Sequence, residues 1–376
     1  MEIWTGLMPF DREIVSGKWV VGNRKPNNMR REWLECLTSE EAWGELLPKT
    51  DVIRLYLNTF PGFRVVTAYG QEETLRVTDE QLDALIRFVQ KHGKKVAFET
   101  GGLRPVEESD VAAGWGRKYA HFEWEIGLER WVRHGGRIDY ITTEHAIFSN
   151  MEYMLHTPQL PGGSSKRLLR YLISQQAAYF DEMHRLLPQT AFGCFEALRY
   201  FEIDPDRYVS DLEWLKISFG EYLEMLLHEM AQYHLTLDHY HYFNDMDSIR
   251  ADTELNCGTC IGRDGQFAYD FGRIAAVEAL LKQKGIRTGY FLDVGKEAYV
   301  NRQMTDHRAC RILDAMEQAL LDSPLQPDQW LLVNMSPFPQ RCGPCTEPDT
   351  ELWEFNRLAE RLTACAEQPA KRMDAV

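Results

Sequence analysis

Eight short apolar runs, rich in Ile, Val, Phe, Tyr and Thr, recur along the chain at intervals of 42 to 53 residues. Runs that stay apolar on both faces are typical of strands in a parallel sheet, because such strands are covered on each side. Parallel neighbours need a long crossover between them, and these intervals leave room for one helix each. The runs are centred on Ile3, Ile53, Ala97, Ile141, Gly193, Leu237, Tyr290 and Leu332.

Amphipathic segments with apolar residues at three- and four-residue spacing occupy the intervals and predict helices. We expect these helices over Asp79–Lys91, 122–133, Ser165–Leu186, 267–284 and 308–321, with a last one over 350–364. Glycines at 93, 135 and 285 follow three of the segments and are typical helix ends. Eight such units predict a closed (β/α)₈ (TIM) barrel, with a doubly wound open sheet as the alternative.

No linker or shift in composition divides the chain, so the sequence predicts one barrel domain over residues 1–376, with a frayed tail over 367–376. Four long segments, 10–30, 101–117, 148–163 and 243–266, follow predicted strands. Loops in these positions lie at the end of a barrel where active sites are found.

The net charge of the chain limits the classes of partner that it can bind. Its 57 acidic and 42 basic residues give a net charge of −15. A surface this negative repels nucleic-acid phosphates and anionic membranes, so we expect neither as a partner. No apolar stretch approaches the ~18 residues that a membrane span needs. The first residues show no secretory pattern, and we therefore expect a cytoplasmic protein.

Acidic residues stand where five consecutive strand runs stop, and amides stand at the ends of two others. A carboxylate at the end of a buried strand loses hydration, so it needs a cation, a metal or a catalytic role. Any one of them could be a structural residue that caps a helix or pairs with an arginine, but five together predict a functional rim. The acids are Glu99, Glu144, Glu196, Asp238 and Asp293, and the amides are Asn58 and Asn334.

Aromatic and imidazole side chains accompany these acids. Aromatic rings at a barrel mouth can stack on a sugar ring, although half of them should face the helices instead. Alternation places Asp238 and Tyr240 on one face of their strand and the two neighbouring histidines on the other. At least one of those histidines is therefore expected to be structural. The predicted substrate contacts of this kind are Trp4, His145, His239, Tyr240, His241 and Tyr290.

With these residues at its strand ends, the chain resembles the glycoside-hydrolase type of (β/α)₈ barrel. The resemblance implies a proton donor at the end of strand four, Glu144, and a nucleophile or base at the end of strand seven, Asp293. The family's Asn-Glu pair is Thr143-Glu144 here, and its strand-seven Glu is an Asp. A related group of barrels uses acids on strands four and six, which would select Asp238 as the partner of Glu144.

The resemblance implies a small-molecule or oligosaccharide substrate. It also implies a reaction in which two carboxyl groups act on the glycosidic bond, with no cofactor required for catalysis. Glu99, Glu196, Asn58 and Asn334 would then hold substrate hydroxyls or tune the pKa values of the catalytic pair, with Glu196 also a candidate for the reaction itself.

Two further interpretations stay open at this stage. Sugar isomerases and epimerases of the xylose-isomerase type also carry acids and histidines on successive strand ends and use them to hold a divalent metal. The matching residues here are Glu144, Glu196, Asp238 and His239 or His241. A barrel that only binds carbohydrate is the third interpretation, but a lectin needs fewer acids.

Two Cys-x-x-Cys pairs, Cys257 with Cys260 and Cys342 with Cys345, follow the sixth and eighth strand runs. Two such pairs can form a tetrahedral zinc site that ties loops together without a catalytic role. Disulfides, free thiols and a redox motif are the alternatives. A structural zinc ion is the predicted outcome if the two pairs meet in space.

Overall fold

The computed structural model describes the residues that form the barrel strands and the helices named below, and the statements that follow concern the described residues alone. They are residues 1–7, 12–15, 18–21, 37–44, 46–57, 64–66, 72–74, 77–101, 103, 114–148, 150–151, 165–198, 201–202, 215–243, 259–261, 267–269, 272–293 and 322–334.

Eight parallel strands close into a barrel in which each strand pairs with the next one along the chain and the last pairs with the first. The chain is therefore a (β/α)₈ barrel, as predicted, and the open-sheet alternative is wrong. The strands are β1 (Glu2–Leu7), β2 (Val52–Tyr56), β3 (Lys95–Thr100), β4 (Tyr140–Glu144), β5 (Ala191–Ala197), β6 (His239–Phe243), β7 (Arg287–Asp293) and β8 (Gln329–Asn334).

Helices lie between the strands. They are α1 (Glu40–Trp43), α2 (Leu46–Lys49), α3 (Asp79–Lys91), α4 (Trp115–Glu123), α5 (Glu129–Arg133), α6 (Ser165–Leu186), α7 (Phe219–Ala231) and α8 (Gly272–Gln283). A π-helical turn over Trp124–Leu128 joins α4 to α5. Thr78 and Ser218 begin α3 and α7 with capping boxes, which satisfy backbone N–H groups that a helix start leaves open.

Several boundaries match the sequence prediction and others do not. Helices α3 and α6 have the predicted bounds, and the glycines at 93, 135 and 285 have the positive φ of helix ends. The helix predicted over 267–284 is shorter, because Phe267–Tyr269 instead forms a hairpin with Thr259–Ile261. The helices predicted over 308–321 and 350–364, and the tail after 366, lie outside the described residues.

Two more hairpins follow barrel strands. Arg12–Val15 pairs with Lys18–Val21 after β1, and Arg64–Val66 pairs with Glu72–Thr74 after β2. All three hairpins are therefore inserted in connections that leave the carboxyl end of a strand.

The barrel interior contains large rings opposite glycines. Trp4, His239 and His241 are fully buried, and the ring of Trp4 lies 5.5 Å and 4.8 Å from the two imidazoles. Gly193 is the register partner of His239, and Gly289 is that of His241. A Cβ atom at either glycine would overlap the ring opposite. The two glycines therefore make the space that the imidazoles fill.

We predict that Gly193→Ala and Gly289→Ala each lower the free energy of unfolding by about 1–3 kcal/mol, because overpacking a closed interior forces rings and backbone to move. Urea unfolding followed by circular dichroism measures the change. Gly220→Ala is the matched control, since its nearest atom beyond the local helix backbone is Leu280 Cδ2 at 3.7 Å, and it should leave stability unchanged or raise it. Equal effects at all three sites would contradict the packing of the imidazoles against the glycines.

Candidate active site

Three of the predicted site residues end barrel strands at the carboxyl end. Glu144 is the last residue of β4, Asp293 of β7 and Asn334 of β8. The side chain of Glu144 is half-buried. Alternation along β4 places it on the same face as Tyr140, whose ring contacts Trp4 inside the barrel at 4.7 Å. Glu144 therefore stands on the interior side of the strand, at the end where barrels perform chemistry.

The chain turns sharply directly after Glu144. His145 has a φ of 47°, in the left-handed region that residues other than glycine rarely adopt. Its backbone N–H donates to the Phe195 carbonyl at 2.8 Å, and its ring lies 4.9 Å from the Phe195 ring. Non-glycine residues held in this conformation cost free energy and cluster at functional sites. The turn fixes where β4 ends and therefore where Glu144 lies.

Glu196 supports this turn from β5. Its side chain is 1% exposed, and one carboxylate oxygen, Oε1, accepts the Ile147 backbone N–H at 2.9 Å. The other oxygen, Oε2, lies 3.6 Å from His145 Nδ1. Glu196 thus contacts the residues that follow Glu144 and lies beside the mouth.

Below the mouth, Glu99 and Arg54 form a buried ion pair inside the barrel. The Arg54 guanidinium lies 4.9 Å from the centre of the Phe291 ring, and Phe291 stacks on Phe195 at 4.6 Å. Arg54 on β2 reaches Phe291 on β7, which is not a neighbouring strand, so these groups meet across the interior. The charge of Glu99 is therefore paired, and two phenylalanines form an apolar floor.

The histidines of β6 lie deeper in the interior. His239 Nε2 is 2.8 Å from Thr142 Oγ1, and His241 Nε2 is 2.8 Å from Gln329 Oε1. Burial lowers the pKa of His239 and lowers the pKa of His241 well below its usual value. Both rings are consequently neutral and packed, together with Trp4, within the barrel below the mouth.

Asp238 lies at the opposite end of the barrel from Glu144. It precedes β6, and the prediction that it ends a strand is wrong, because the sixth strand begins at His239. Its carboxylate pairs with Arg287, the first residue of β7, and lies 3.2 Å from His239 Nδ1. Burial raises the pKa of Asp238, but the bonds from His239 and Arg287 outweigh it and hold the pKa at about 2. The structure therefore does not bring Asp238 and Glu144 together at one rim, contrary to the sequence prediction.

The amino end of the barrel carries further charges next to Asp238. Lys95 Nζ lies 2.5 Å from the Glu2 carboxylate, and Lys95 and Arg287 both stand over the Tyr140 ring, at 5.5 Å and 5.2 Å. Charge networks at this end of a barrel contribute to stability.

Tyr240 and Tyr290 lie in the layer between the barrel and its helices. The Tyr240 ring meets Phe219 of α7 edge-on at 5.3 Å, and Tyr290 packs between Tyr242 and Trp330 at 5.8 Å each. Neither tyrosine faces the interior, where the predicted substrate contacts were expected.

Buried polar residues of the helices, not identified from the sequence, hold the ends of β3 and β4. Glu123 of α4 accepts the Gly101 backbone N–H at 3.0 Å and the Tyr179 hydroxyl at 2.5 Å. Gln176 of α6 donates to Thr143 Oγ1 at 2.9 Å, next to Glu144. A polar residue on the apolar face of an amphipathic helix is the signal that could have found them.

Several predicted residues cannot be placed. Asn58, Cys257, Cys342 and Cys345 lie outside the described residues, and Cys260 is described only as backbone in the hairpin strand Thr259–Ile261. The zinc site stays a prediction. Within the described ranges, no three His, Cys, Asp or Glu side chains stand together in a way that could hold a metal ion. In the same ranges, every helix is too short or too polar to cross a membrane.

No protein-family model matches the chain, and no curated protein matches it in sequence. Among solved structures, the chain is similar to the catalytic domain of a β-amylase from Paenibacillus polymyxa, with 8% identity, a TM-score of 0.49, and 95% and 97% of the two chains covered. A β-glucosidase from Thermotoga maritima shares 11% identity with a TM-score of 0.41, covering 89% of this chain and 88% of its own. A D-psicose 3-epimerase from Clostridium cellulolyticum H10 shares 8% identity with a TM-score of 0.42, covering 98% and 99%. At these identities the likeness concerns the barrel fold alone.

The buried histidines predict how stability depends on pH. Unfolding returns His239 and His241 to water, where imidazoles titrate near pH 6.5, so the unfolded chain binds more protons below that pH. The free energy of unfolding should therefore fall below pH 6.5, by up to about 1.4 kcal/mol per pH unit for each ring. The contribution of Asp238 lies in a separate window, because it is lost only as the pH falls from 3.8 toward about 2.

Urea unfolding at several pH values down to about pH 5 tests this dependence. His241→Gln should reduce the slope by removing one of the two titrating rings. His228→Gln, at an exposed position, is the control and should leave the slope as it is. An unchanged slope in His241→Gln would mean that this ring is not neutral in the folded protein.

Proposed function

We propose that this protein is a carbohydrate-active enzyme that cleaves a glycosidic bond, with Glu144 as the proton donor and Asp293 as the second carboxylate. The observation that carries the proposal is the position of Glu144. It ends β4 on the interior side of the strand, half-buried, before a turn that the strained backbone of His145 and the buried Glu196 hold in place.

The proposed reaction gives the two carboxylates different roles. Glu144, as a carboxylic acid, protonates the leaving oxygen, while Asp293 attacks the anomeric carbon or activates water. Carboxyl groups about 5–5.5 Å apart give retention of configuration, and groups about 6.5–9.5 Å apart give inversion. The stacked rings of Phe195 and Phe291 form apolar surface below the mouth, and charges interact more strongly beside apolar surface than in water.

The metal-dependent isomerase is less well supported by the same geometry. Its predicted ligands were Glu144, Glu196, Asp238 and one histidine of β6. Asp238 lies at the amino end of the barrel, paired with Arg287, and the β6 histidines bond to Thr142 and Gln329. These donors do not converge among the described residues, so the two-carboxylate reaction is the one that we propose.

Glu144→Gln tests the proposal through the leaving group. We predict that kcat/KM for glycosides with a poor leaving group, such as alkyl glycosides, falls by about 10²–10⁴, because protonation of the leaving oxygen is lost. Dinitrophenyl glycosides need no proton on leaving and should lose much less. A panel of both types over common sugars measures the difference.

Glu125→Gln is the control for this substitution, since Glu125 is exposed on the π-helical turn, and both substrate types should be cleaved as by the wild type. An equal loss on both types in Glu144→Gln would show that Glu144 is not the proton donor. Elemental analysis of protein purified without chelator adds a second test. Stoichiometric manganese, cobalt, magnesium or iron would favour the isomerase instead.

A further inference from the structure

The Glu196 carboxylate is one of the most deeply buried charged groups in the described part of the chain, with 1% exposure. Its Oε1 atom accepts the Ile147 backbone N–H, whereas its Oε2 atom has no hydrogen-bond partner within 3.5 Å among the described residues. A buried carboxylate with one of its oxygens unsatisfied is costly. His145 Nδ1 lies 3.6 Å from Oε2.

Among the described residues, three other side chains interact with Glu196, and none of them carries a positive charge. Tyr240, Tyr222 and Cys194 are fully buried. The pKa of Tyr240 is raised well above its usual value, mainly by burial and also by the nearby charge of Glu196. The pKa values of Tyr222 and Cys194 are raised mainly by burial, with Glu196 contributing. All three groups are thus neutral, and among the described residues around Glu196 the imidazole of His145 is the group able to take a positive charge.

The ring of His145 has a defined orientation. Its backbone is held in the left-handed region and bonded to the Phe195 carbonyl, and its ring packs against Phe195, which belongs to the apolar floor inside the barrel. Nδ1 faces Glu196, so Nε2 is on the far side of the ring. The His145 side chain keeps 19% exposure, against 1% for Glu196. The imidazole therefore has a buried carboxylate beside Nδ1 and keeps part of its surface exposed to solvent.

We infer that Glu196 and His145 form a carboxylate–imidazole pair that belongs to the site of Glu144. Glu196 is the positioning residue: its Oε2 atom, 3.6 Å from Nδ1, attracts the Nδ1–H of His145 and so favours the tautomer in which Nε2 carries the lone pair. Nε2 then accepts a hydrogen bond from a hydroxyl of a polyhydroxylated substrate, next to the bond on which Glu144 acts. This inference rests on the proposed function, since it names how that site recognises its substrate.

The tautomer can be measured without a substrate. ¹⁵N NMR of histidine-labelled protein at alkaline pH, where imidazoles are neutral, reports which ring nitrogen carries the proton, and His145→Asn identifies the signal. We expect His145 with Nδ1–H in the wild type. In Glu196→Gln, the amide oxygen still accepts the Ile147 N–H while the amide N–H₂ faces Nδ1, so the tautomer should change to Nε2–H. A wild-type ring with Nε2–H, or one unchanged in Glu196→Gln, would overturn the pair.

Kinetic measurements then distinguish a pair that contacts the substrate from a structural clamp, meaning residues that only hold the turn after Glu144. Asparagine adopts positive φ readily, so His145→Asn keeps the turn and removes the imidazole. It should raise KM for a cleaved glycoside by about three- to tenfold, as expected for one lost substrate hydrogen bond. Glu196→Gln keeps the bond to Ile147 and should show a similar rise, whereas a clamp alone would leave KM unchanged.

The two proposals fail in different ways. If Glu144→Gln shows the predicted leaving-group dependence while His145→Asn and Glu196→Gln match the wild type, the carboxylate–imidazole pair is wrong and the hydrolase stands. If no glycoside is cleaved by the wild type, the hydrolase fails, and the tautomer measurement still decides whether Glu196 orients His145.

Discussion

Closure of eight parallel strands removes the side chains in the middle of the inner face from water, and the rest of the structure depends on how the polar groups there are satisfied. Arg54 pairs with Glu99, His241 bonds to Gln329, and His239 bonds to Thr142. Each bond joins different strands, so the correct register of the barrel is needed to form them. A slip of one residue would turn these groups outward and leave their partners buried alone.

The two ends of the barrel use charge differently. At the amino end, Asp238 pairs with Arg287 and Glu2 pairs with Lys95, which closes the barrel with satisfied charges. At the carboxyl end, Glu144 stands at the end of its strand above an apolar floor, and Glu196 holds the turn behind it. The packed rings of Trp4, His239 and His241 thus separate the amino end, which ion pairs stabilise, from the carboxyl end, where barrels perform chemistry.

The sequence predicted the eight strands because their spacing and apolar runs are set by the fold itself. It also separated Tyr240 from His239 by alternation, as the structure has them. Asp238 precedes the strand, and its carboxylate lies beside His239. Alternation alone does not tell which face is inward, because both faces of a barrel strand are buried. For that reason Tyr240 and Tyr290 were expected at the mouth although they pack against the helices.

Other features could not be predicted from the sequence, because they depend on the register of the strands and on contacts between helices and strands. The sixth run was placed too early because Leu235 and Leu237 extend its apolar pattern ahead of the strand, which put Asp238 at the wrong end. Arg54 interrupts an otherwise apolar run, and its partner Glu99 lies on the neighbouring strand, where only the pairing brings them together. Gln176 and Glu123 act from helices, and no pattern in the strands reveals them.

Hydrolysis in ¹⁸O-labelled water tests the central claim most directly. A glycoside cleaved by this protein should release a sugar that carries one ¹⁸O at its anomeric carbon and an aglycone that carries none, with a control for exchange of the free sugar. That result follows from bond cleavage between the anomeric carbon and the leaving oxygen. Turnover of a free sugar with no glycoside cleaved, dependent on an added divalent metal, would contradict the account.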